Sequence, residues 1–572
     1  MEIPQPESDQ LILDSARRLT GPSLVWNETG AIIDVLIGHF DPNQVLKNWH
    51  RYLSDVAGAV GWQELHHTHR QFENGFSLLV AAPIDQLYSA VQLLETAWHF
   101  CACEMLQTPA HDPQELYQSL RAQMEIESSP ELLELESACN AHDVDFLVDD
   151  DWISIGHGYS SMSFSDSQLP AVDQINWNNI SDIPVAMITG TNGKSTSVRL
   201  LDAIARHAGQ VSGVTSTDFV KVGKDILDHG DYSGPGGARL LLRDKRLEVA
   251  FLEAARGGIL RRGLPLRRAR VALVTNVASD HLGQYGINTL SALTQTKLTI
   301  RKALTEDGIL VVNADDTGLV EHLQTPDCRL CWFSLDLNNP VIQQQMAQSS
   351  ACVFCDADDL VFFDGRQFNR ICSVGEIPMT LNGAAQHNVS NALGVIGVAR
   401  AMGYRFEQIR AGLTDFYSDT ADNPGRLNQF VLDNQARVIV DFAHNAHSVA
   451  AVATTASRIP SNQKYVLMGS AGDRSDDDIK GIAREICKIY PDKIIITETP
   501  KYLRGRNIGE VSQIMRSICI EQGLDESRIE ISDDPVSGVS SALAQIKAQD
   551  LGLFLVLSDR EAIIDMLRTR SS

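Results

Sequence analysis

The sequence predicts an α/β protein whose largest part is a parallel sheet covered by helices. Short runs rich in β-branched residues, such as 185–188, 249–252 and 271–274, are each followed by a glycine or a helical stretch. Runs of this kind are typical of parallel strands that are buried on both faces. Beyond a break at 418–424, further strands alternate with helices, which predicts a second α/β domain of Rossmann-like size.

The first 165 residues have a different pattern and predict a small α+β domain. Strand-like segments at 31–37 and 75–82 alternate with helical ones, and 84–106 carries apolar residues at helical spacing. Residues 166–184 are rich in Asn, Asp, Ser and Pro and predict a linker. The expected organisation is therefore an N-terminal domain (1–165, linker to 184), a central domain (185–422) and a C-terminal domain (423–572).

The composition and charge argue against nucleic-acid and membrane partners. The 572 residues include 48 Lys and Arg against 73 Asp and Glu, which gives a net charge of −25 and a pI near 5.0. An acidic surface repels phosphate backbones, so we expect no nucleic-acid partner. No apolar run approaches membrane-spanning length, no secretory leader is visible, and ten cysteines are scattered along the chain. We expect a cytoplasmic protein with no membrane partner, and homo-oligomerisation is left open.

The strongest motif is a phosphate-binding loop between a predicted strand and a helix expected to begin near Ser197. Glycines let backbone N–H groups approach phosphate oxygens, and a helix N-terminus adds partial positive charge. Lys194 would meet the β- and γ-phosphates, and Ser195 could bind Mg²⁺. Ile188 stands where the general pattern has glycine, so a glycine turn with a chance lysine is the alternative. The loop consists of Gly190, Thr191, Asn192, Gly193, Lys194, Ser195 and Thr196.

Carboxylate and imidazole side chains follow two later strands. Glu253 ends the strand at 249–252, and Asp280 and His281 come shortly after the strand that leads into Asn276. Open parallel sheets bind ligands at the carboxyl ends of their strands, where a carboxylate can hold a metal that bridges nucleotide phosphates. Each residue alone is typical of a solvated side chain, but together with the glycine-rich loop they predict a nucleotide site.

An ordered series of motifs resembles the Mur ligase superfamily, and within it the Mur-like module of the cyanophycin synthetases. The resemblance runs from residue 185 to the C-terminus. The motifs are GTNGKST (190–196), LEAARGGILRRGL (252–264), TNVASDHLGQYGI (275–287), VNADD (312–316), QHNVSNAL (386–393), NPGRLNQF (423–430), DFAHNAH (441–447) and GSAGDRSDDD (469–478).

The resemblance implies an ATP-dependent amide ligase. In that family a carboxylate attacks the γ-phosphate of ATP, and an amine then attacks the acyl phosphate. The cofactors would be ATP and two Mg²⁺ ions. The implied catalytic residues are Lys194, Glu253, His281, Lys297 and Arg426, and the implied metal ligands are Ser195, Glu253, His281 and Lys297, the last as a carbamylated lysine. Besides the loop residues, nucleotide contacts would come from Asn276, Asn388 near adenine, Arg426 at phosphate, Asp441 at ribose, and His444.

The first part of the chain resembles the small N-terminal domain of cyanophycin synthetases and the opening of their ATP-grasp module. Residues 152–159 look like that module's first strand and glycine turn, but too few residues remain before 184 for an ATP-grasp core. The resemblance implies that a basic amino acid such as arginine is joined to an aspartyl-type carboxylate of a small molecule or peptide. The alternative is a catalytically silent regulatory or scaffolding partner of a complete synthetase.

Four cysteines offer a different hypothesis. Cys328 and Cys331, and then Cys352 and Cys355, are paired at a spacing seen in zinc ribbons. Both pairs fall in β-type runs, where small buried cysteines are common, and neither pair contains a turn glycine. Packed cysteines are therefore favoured over a zinc site.

Overall fold

The computed structural model describes residues 3–571, which form four sheets. The first sheet is antiparallel, in the order β1-β2-β4-β3, and helices cover one of its faces. A small three-stranded sheet follows. The elements of this region are β1 (Ile12–Leu19), β2 (Gly30–Leu36), α1 (Pro42–Val60), β3 (His67–Phe72), β4 (Gly75–Ala81), α2 (Leu87–Leu106), α3 (Pro113–Glu127), α4 (Pro130–Ala141), β5 (Phe146–Val148), β6 (Trp152–Ile155) and β7 (Met162–Ser165).

The central sheet has eleven strands, and seven neighbouring ones are parallel. Its elements are β8 (Val185–Thr189), α5 (Lys194–His207), β9 (Ser212–Thr215), β10 (Phe219–Val222), β11 (Asp225–His229), α6 (Pro235–Leu242), β12 (Val249–Glu253), α7 (Arg256–Arg262), β13 (Ala269–Val274), α8 (Leu290–Leu298), β14 (Leu304–Asn313), α9 (Thr317–His322), β15 (Arg329–Ser334), α10 (Pro340–Ala347), β16 (Cys352–Asp356), β17 (Asp359–Phe363), β18 (Phe368–Ser373), α11 (Gln386–Met402) and α12 (Phe406–Thr414).

The order of the central sheet is β11-β10-β9-β12-β8-β13-β14-β15-β16-β17-β18. Alternate residues along β8 belong to different apolar cores, because helices pack on both faces of the sheet. The α/β prediction is confirmed, with one correction. The sheet is not parallel throughout, since β10 and β11 at one edge and β17 and β18 at the other are antiparallel. Two-residue connections precede β11 and β17, and such short links join only antiparallel strands.

The last sheet has six strands in the order β19-β20-β24-β21-β22-β23, of which only β19 is antiparallel to its neighbour. Helices again cover both faces. Its elements are β19 (Asn428–Val431), β20 (Arg437–Asp441), α13 (Ala446–Ser457), β21 (Lys464–Met468), α14 (Asp476–Cys487), β22 (Lys493–Thr497), α15 (Glu510–Glu521), β23 (Ile529–Ser532), α16 (Pro535–Gln545), β24 (Leu551–Leu555) and α17 (Arg560–Arg568). Within residues 3–571, no helix combines the length and apolar character of a membrane span.

Backbone hydrogen bonds, as well as the covalent chain, join the N-terminal region to the central sheet. The amide of Thr20 donates to the carbonyl of Arg262 at 2.9 Å, and the amide of Leu264 donates to the carbonyl of Pro22 at 2.7 Å. The segment predicted as a linker has no strand or α-helix, but Ile180 and Ile183 within it are buried at 7% and 2% exposure. These residues therefore pack as part of the fold.

Candidate active site

The carboxyl ends of four adjacent strands form one polar edge of the central sheet. In the order β9-β12-β8-β13, the chain leaves β8 toward β9, returns through β12, and then crosses to β13 on the other side of β8. Open parallel sheets bind ligands where the chain changes sides in this way. The glycine-rich loop follows β8, Glu253 ends β12, and Asn276 follows β13.

The glycine-rich loop is held in a conformation that only glycine permits at two positions. Gly190 has φ +149° and lies so close to Thr275 that an added Cβ would be 1.9 Å from the hydroxyl oxygen. Gly193 has φ +88° and would meet Asn391 at 2.2 Å. Because Gly193 turns the chain in the left-handed region, α5 begins at Lys194 rather than near Ser197 as predicted. The first-turn N–H groups are thus contributed by the motif itself.

Asn276 fixes the middle of the loop. The backbone amide of Asn192 donates to Asn276 Oδ1 at 3.0 Å, and Asn276 Nδ2 donates to the carbonyl of Asn192 at 3.0 Å. Thr191 exchanges hydrogen bonds with the backbone of Ala278 through its hydroxyl. Lys194 Nζ donates to the carbonyl of Thr191 at 3.0 Å. The loop and the segment that follows β13 therefore form one hydrogen-bonded unit.

Glu253 is buried at the base of this unit. It is 3% exposed, and Ser195 Oγ donates to its Oε2 at 2.8 Å. Its other oxygen, Oε1, has no hydrogen-bond partner in the described structure. Burial raises the pKa of Glu253, although Lys194, Ser195 and Arg426 act against this shift. An unpartnered carboxylate oxygen beside a serine hydroxyl is a donor set that fits Mg²⁺.

His281 and Lys297 are two further predicted metal ligands, and burial lowers the pKa of each. His281 is half-buried, and burial lowers its pKa. Lys297 lies on α8 with only 4% of its surface exposed. Burial and the neighbouring Lys194 hold the pKa of Lys297 well below its ordinary value. This shift favours the neutral amine, which is the form that reacts with carbon dioxide.

The residues predicted in the C-terminal part lie against the same edge. Arg426 stacks over the ring of Phe442, with its guanidinium carbon 4.8 Å from the ring centre, and its charge acts on Glu253. Both oxygens of Asp441 accept backbone N–H groups, from Leu427 at 2.8 Å and Ala443 at 2.7 Å, while burial raises the pKa of Asp441. Asp441 thus fixes the segment that carries Arg426.

Two residues predicted to contact the nucleotide also make contacts within the protein. His444 Nδ1 lies 2.9 Å from the carbonyl of Phe442, and burial lowers its pKa to about 4, so that the ring is neutral and leaves Nε2 available. Asn388 is buried on α11, donates to the carbonyl of Met379 at 2.8 Å, and accepts from Asn391 at 3.2 Å. The structure therefore places Asn388 behind Asn391, which contacts the loop. Thr196 accepts from Asn423 Nδ2 at 3.3 Å.

Several residues that join the two sheets were missed by the sequence analysis. Asp218 pairs with Arg199 of α5 at 2.5 Å and with Arg560 of α17 at 2.8 Å. Arg474 pairs with Asp280 at 2.5 Å. A usable signal existed for Asp218, since it follows the end of β9 just as Glu253 ends β12. Arg199 and Arg560 lie in ordinary-looking helical sequence, whereas Arg474 lies in the motif at 469–478 and its partner Asp280 in the motif at 275–287.

The loop itself also touches the C-terminal part directly. Asn192 Nδ2 donates to His447 Nδ1 at 2.9 Å, and Asn445 Nδ2 donates to Asn192 Oδ1 at 3.2 Å. Asn445 is also the N-cap of α13. The phosphate-binding loop and the start of α13 are therefore in direct contact.

The four cysteines do not converge. Cys331 and Cys355 pack in the core on one face of the central sheet. Cys352 and the half-buried Cys328 pack on the opposite face. Their side chains point away from a common centre, which favours the packed alternative over zinc.

Within residues 3–571, one group of side chains has the spacing of a metal site, away from the loop: Asp145, His157 and Asp182. The amide of Ile183 donates to His157 Nδ1 at 3.2 Å, so the ring hydrogen is on Nε2. Nε2 lies 3.4 Å from Asp145 and 3.3 Å from Asp182. A protonated Nε2 donates to carboxylates and does not bind metal, so this group is a hydrogen-bonded junction at the end of the 166–184 segment.

Comparisons with known proteins find two matching family models and several similar structures. The family model described as "Mur ligase middle domain" matches residues 188–399, and that described as "Mur ligase, glutamate ligase domain" matches residues 425–555. Among solved structures, E. coli FolC in complex with DHPP and ADP is 20% identical with a TM-score of 0.49, covering 68% of this chain and 89% of that one. MurF from Acinetobacter baumannii is 17% identical with a TM-score of 0.48, covering 68% and 77%.

The curated relatives include longer proteins. A cyanophycin synthetase of a Nostoc species is 34% identical over 381 residues, which is 67% of this chain and 42% of the relative. A UDP-N-acetylmuramoyl-L-alanyl-D-glutamate--2,6-diaminopimelate ligase of Bacillus cereus is 22% identical over 375 residues, which is 64% of this chain and 71% of the relative. The chain thus spans less than half the length of that cyanophycin synthetase. The resemblance inferred from the motifs is confirmed, and the chain belongs to the Mur ligase family.

Proposed function

We propose that this protein is an ATP-dependent, ADP-forming ligase that joins a carboxylate to an amine. The observation that carries the proposal is the set of groups around the buried Glu253. Lys194 and Ser195 come from the loop after β8, and Arg426 comes from the C-terminal part. Charge neutralisation around a transferred phosphoryl group is the main task of such a site.

The proposed reaction has two steps. A carboxylate oxygen of the acceptor attacks the γ-phosphorus of ATP, the bond to the β-phosphate oxygen breaks, and ADP leaves. The amine nitrogen then attacks the acyl carbon, phosphate departs with the bonding electron pair, and the nitrogen loses a proton. Lys194 and Arg426 would neutralise the phosphoryl oxygens in the first step.

The residues present fit magnesium. Ser195 and Glu253 would hold one ion, and His281 with a carbamylated Lys297 would hold a second. Bound Mg²⁺ would neutralise charge on the phosphate oxygens. Asn276 and the glycines fix the loop, and the predicted contacts of Asn388, Asp441 and His444 with the nucleotide belong to this proposal.

The proposed amine is a basic amino acid such as arginine, and the proposed acceptor is an aspartyl-type carboxylate on a small molecule or peptide. The relatives named cyanophycin synthetase support this choice, and a net charge of −25 favours encounter with cations. The six residues Lys194, Ser195, Glu253, His281, Lys297 and Arg426 are all present, which favours an enzyme over a silent partner.

An ADP-release assay tests the proposal. Arginine, lysine, ornithine and neutral amino acids are offered with free aspartate, aspartyl peptides and other carboxylates, with Lys194→Ala as the matched negative. Release that needs both a basic amino acid and an acceptor supports the proposal. Release with neutral amino acids alone would refute the arginine assignment and leave the ligase. No release above the Lys194→Ala level with any pair would favour the silent partner.

A further inference from the structure

The loop that carries His281 has a backbone that needs support from outside. Between residues 281 and 286, four residues have positive φ, namely His281 (+51°), Gly283 (+93°), Tyr285 (+55°) and Gly286 (+63°). Non-glycine residues adopt this region at a cost, and such conformations persist only where the surroundings hold them. We call residues 280–287 the histidine loop.

One support comes from within the central part and one from the C-terminal part. Arg256 Nη1 donates to the carbonyl of His281 at 2.6 Å, and its Nη2 donates to Gln284 Oε1 at 2.6 Å. Arg474 pairs with Asp280 at the start of the loop. These contacts fix the first half of the histidine loop.

The second half is held by the N-terminal sheet. Arg70, on the edge strand β3, donates through Nη2 to the carbonyl of Tyr285 at 2.8 Å and through Nη1 to the carbonyl of Gly286 at 3.1 Å. An added Cβ on Gly286 would lie 2.4 Å from the ring of Phe72, so the loop backbone rests directly on β3. Arg17, on β1, stacks over the ring of Tyr285 at 4.8 Å.

Arg70 and Arg17 are themselves fixed by a buried polar network. Asp34 is 1% exposed, pairs with Arg17 at 2.8 Å, and accepts from Ser77 Oγ at 2.7 Å. Ser77 Oγ in turn accepts from Arg70 Nη2 at 3.1 Å. The four neighbouring strands of this sheet thus hold two guanidinium groups against one loop of another domain.

We propose that the N-terminal domain positions the histidine loop, with Arg70 as the positioning residue that sets where His281 stands relative to the phosphate-binding loop. This inference rests on the proposed function for the role of His281 as a metal ligand. Arg70 contacts only backbone carbonyls of the loop, so it acts on the loop's course and not on its side chains. Loss of the contact would let His281 move while Glu253 and Ser195 keep their places.

Two variants of Arg70 and one matched control test the proposal. Arg70→Gln removes the charge and the fork of donors, and Arg70→Lys restores a charge but only a point donor. Arg51→Gln is the control, because Arg51 on α1 of the same domain forms an exposed ion pair with Glu104 on α2. Hydrogen exchange across 280–287 is measured without ligand. Mn²⁺ binding is measured by electron paramagnetic resonance with a non-hydrolysable ATP analogue.

For Arg70→Gln we expect faster exchange confined to the histidine loop and a fall of about tenfold in affinity for the more weakly bound Mn²⁺. Arg70→Lys should recover part of both, and Arg51→Gln should match the wild type. Wild-type exchange in the histidine loop of a folded Arg70→Gln protein would overturn the proposal. So would unchanged Mn²⁺ affinity.

A variant on the loop side covers the case in which Arg70→Gln does not fold. Tyr285→Ala removes the ring beneath Arg17 and leaves the N-terminal sheet intact, and it should also speed exchange at the histidine loop. Unaltered exchange would count against the proposal. Failure of the proposed function would appear separately, as a wild-type protein that releases no ADP. The exchange data would still decide whether Arg70 holds the loop.

Discussion

Replacing Glu253 with glutamine should make the free protein more stable and abolish its activity. The raised pKa of Glu253 means that burial costs the charged carboxylate more than Lys194, Ser195 and Arg426 return to it. Glutamine keeps the shape and can still accept from Ser195, but it carries no charge. In the ligand-free protein the substitution therefore removes a net penalty.

The size of the effect follows from the unpartnered oxygen. A buried polar group without a hydrogen bond costs about 1–3 kcal/mol of folding free energy. The glutamine amide that replaces the carboxylate avoids only part of this cost, so we expect the free energy of unfolding to rise by about 1–2 kcal/mol at pH 7. For a domain of this size, that corresponds to an increase of roughly 2–8 °C in unfolding temperature. ADP formation should fall at least about 10²-fold, because the variant cannot supply the anionic ligand.

The stability difference between Glu253→Gln and the wild type should depend on pH. A carboxyl group whose pKa is raised in the folded state stabilises the protein at low pH, and this contribution is lost as the pH rises through the folded-state value. The advantage of Glu253→Gln should therefore be absent well below the ordinary glutamate pKa of 4.5 and grow above it. Differential scanning fluorimetry in EDTA from pH 4 to 8 measures this. The control is Glu306→Gln, which alters an exposed glutamate on β14.

A Glu253→Gln protein that is less stable than the wild type at pH 7 would refute the reasoning. It would mean that the surrounding cations outweigh the cost of burial. An equal gain in Glu306→Gln would show that lowering the net negative charge, and not the buried oxygen, causes the effect.

Three further predictions concern the same site. Lys194→Ala should lower ADP formation at least about 10²-fold, measured by a coupled assay, and near-normal turnover would remove the lysine from the mechanism. Arg560→Gln removes an ion pair with Asp218 that joins the C-terminal part to the central sheet. At about 1 kcal/mol, its loss should raise about fivefold the fraction of molecules in which the two parts have separated, which scattering would detect as a larger radius of gyration. Lys297 should give one carbamate carbon signal with ¹³C-bicarbonate at pH 8, because burial lowers its pKa and favours the neutral amine. A spectrum that Lys297→Arg does not change would contradict this.

The sequence was sufficient for the parts of the site that are local in the chain. The glycine-rich loop and Glu253 follow buried strands, and the carboxyl-end rule places both at one edge of the sheet. The same rule applied to β9 would have found Asp218. The two-residue connections before β11 and β17 would also have revealed the antiparallel edges.

Other features depend on contacts between distant segments and have no local pattern. Nothing around Arg70 distinguishes it from a solvated strand arginine until β3 is seen against Gly286. In the sequence, Lys297 has the pattern of an exposed helix lysine, and its burial follows only from the packing of α8. The start of α5 was misplaced because the left-handed turn at Gly193 brings the chain directly into a helix.

The backbone pairing of residues 20–22 with 262–264 bears on how the protein comes apart when heated. Segments that exchange main-chain hydrogen bonds and share a core lose their structure together, whereas modules on free tethers melt one by one. The amides of Thr20 and Leu264 donate across this pairing, and Ile183 of the 166–184 segment is buried in the same core as Leu264. The N-terminal and central sheets should therefore behave as one cooperative unit in calorimetry. Neither should survive excision at residue 184 as an independently folding piece.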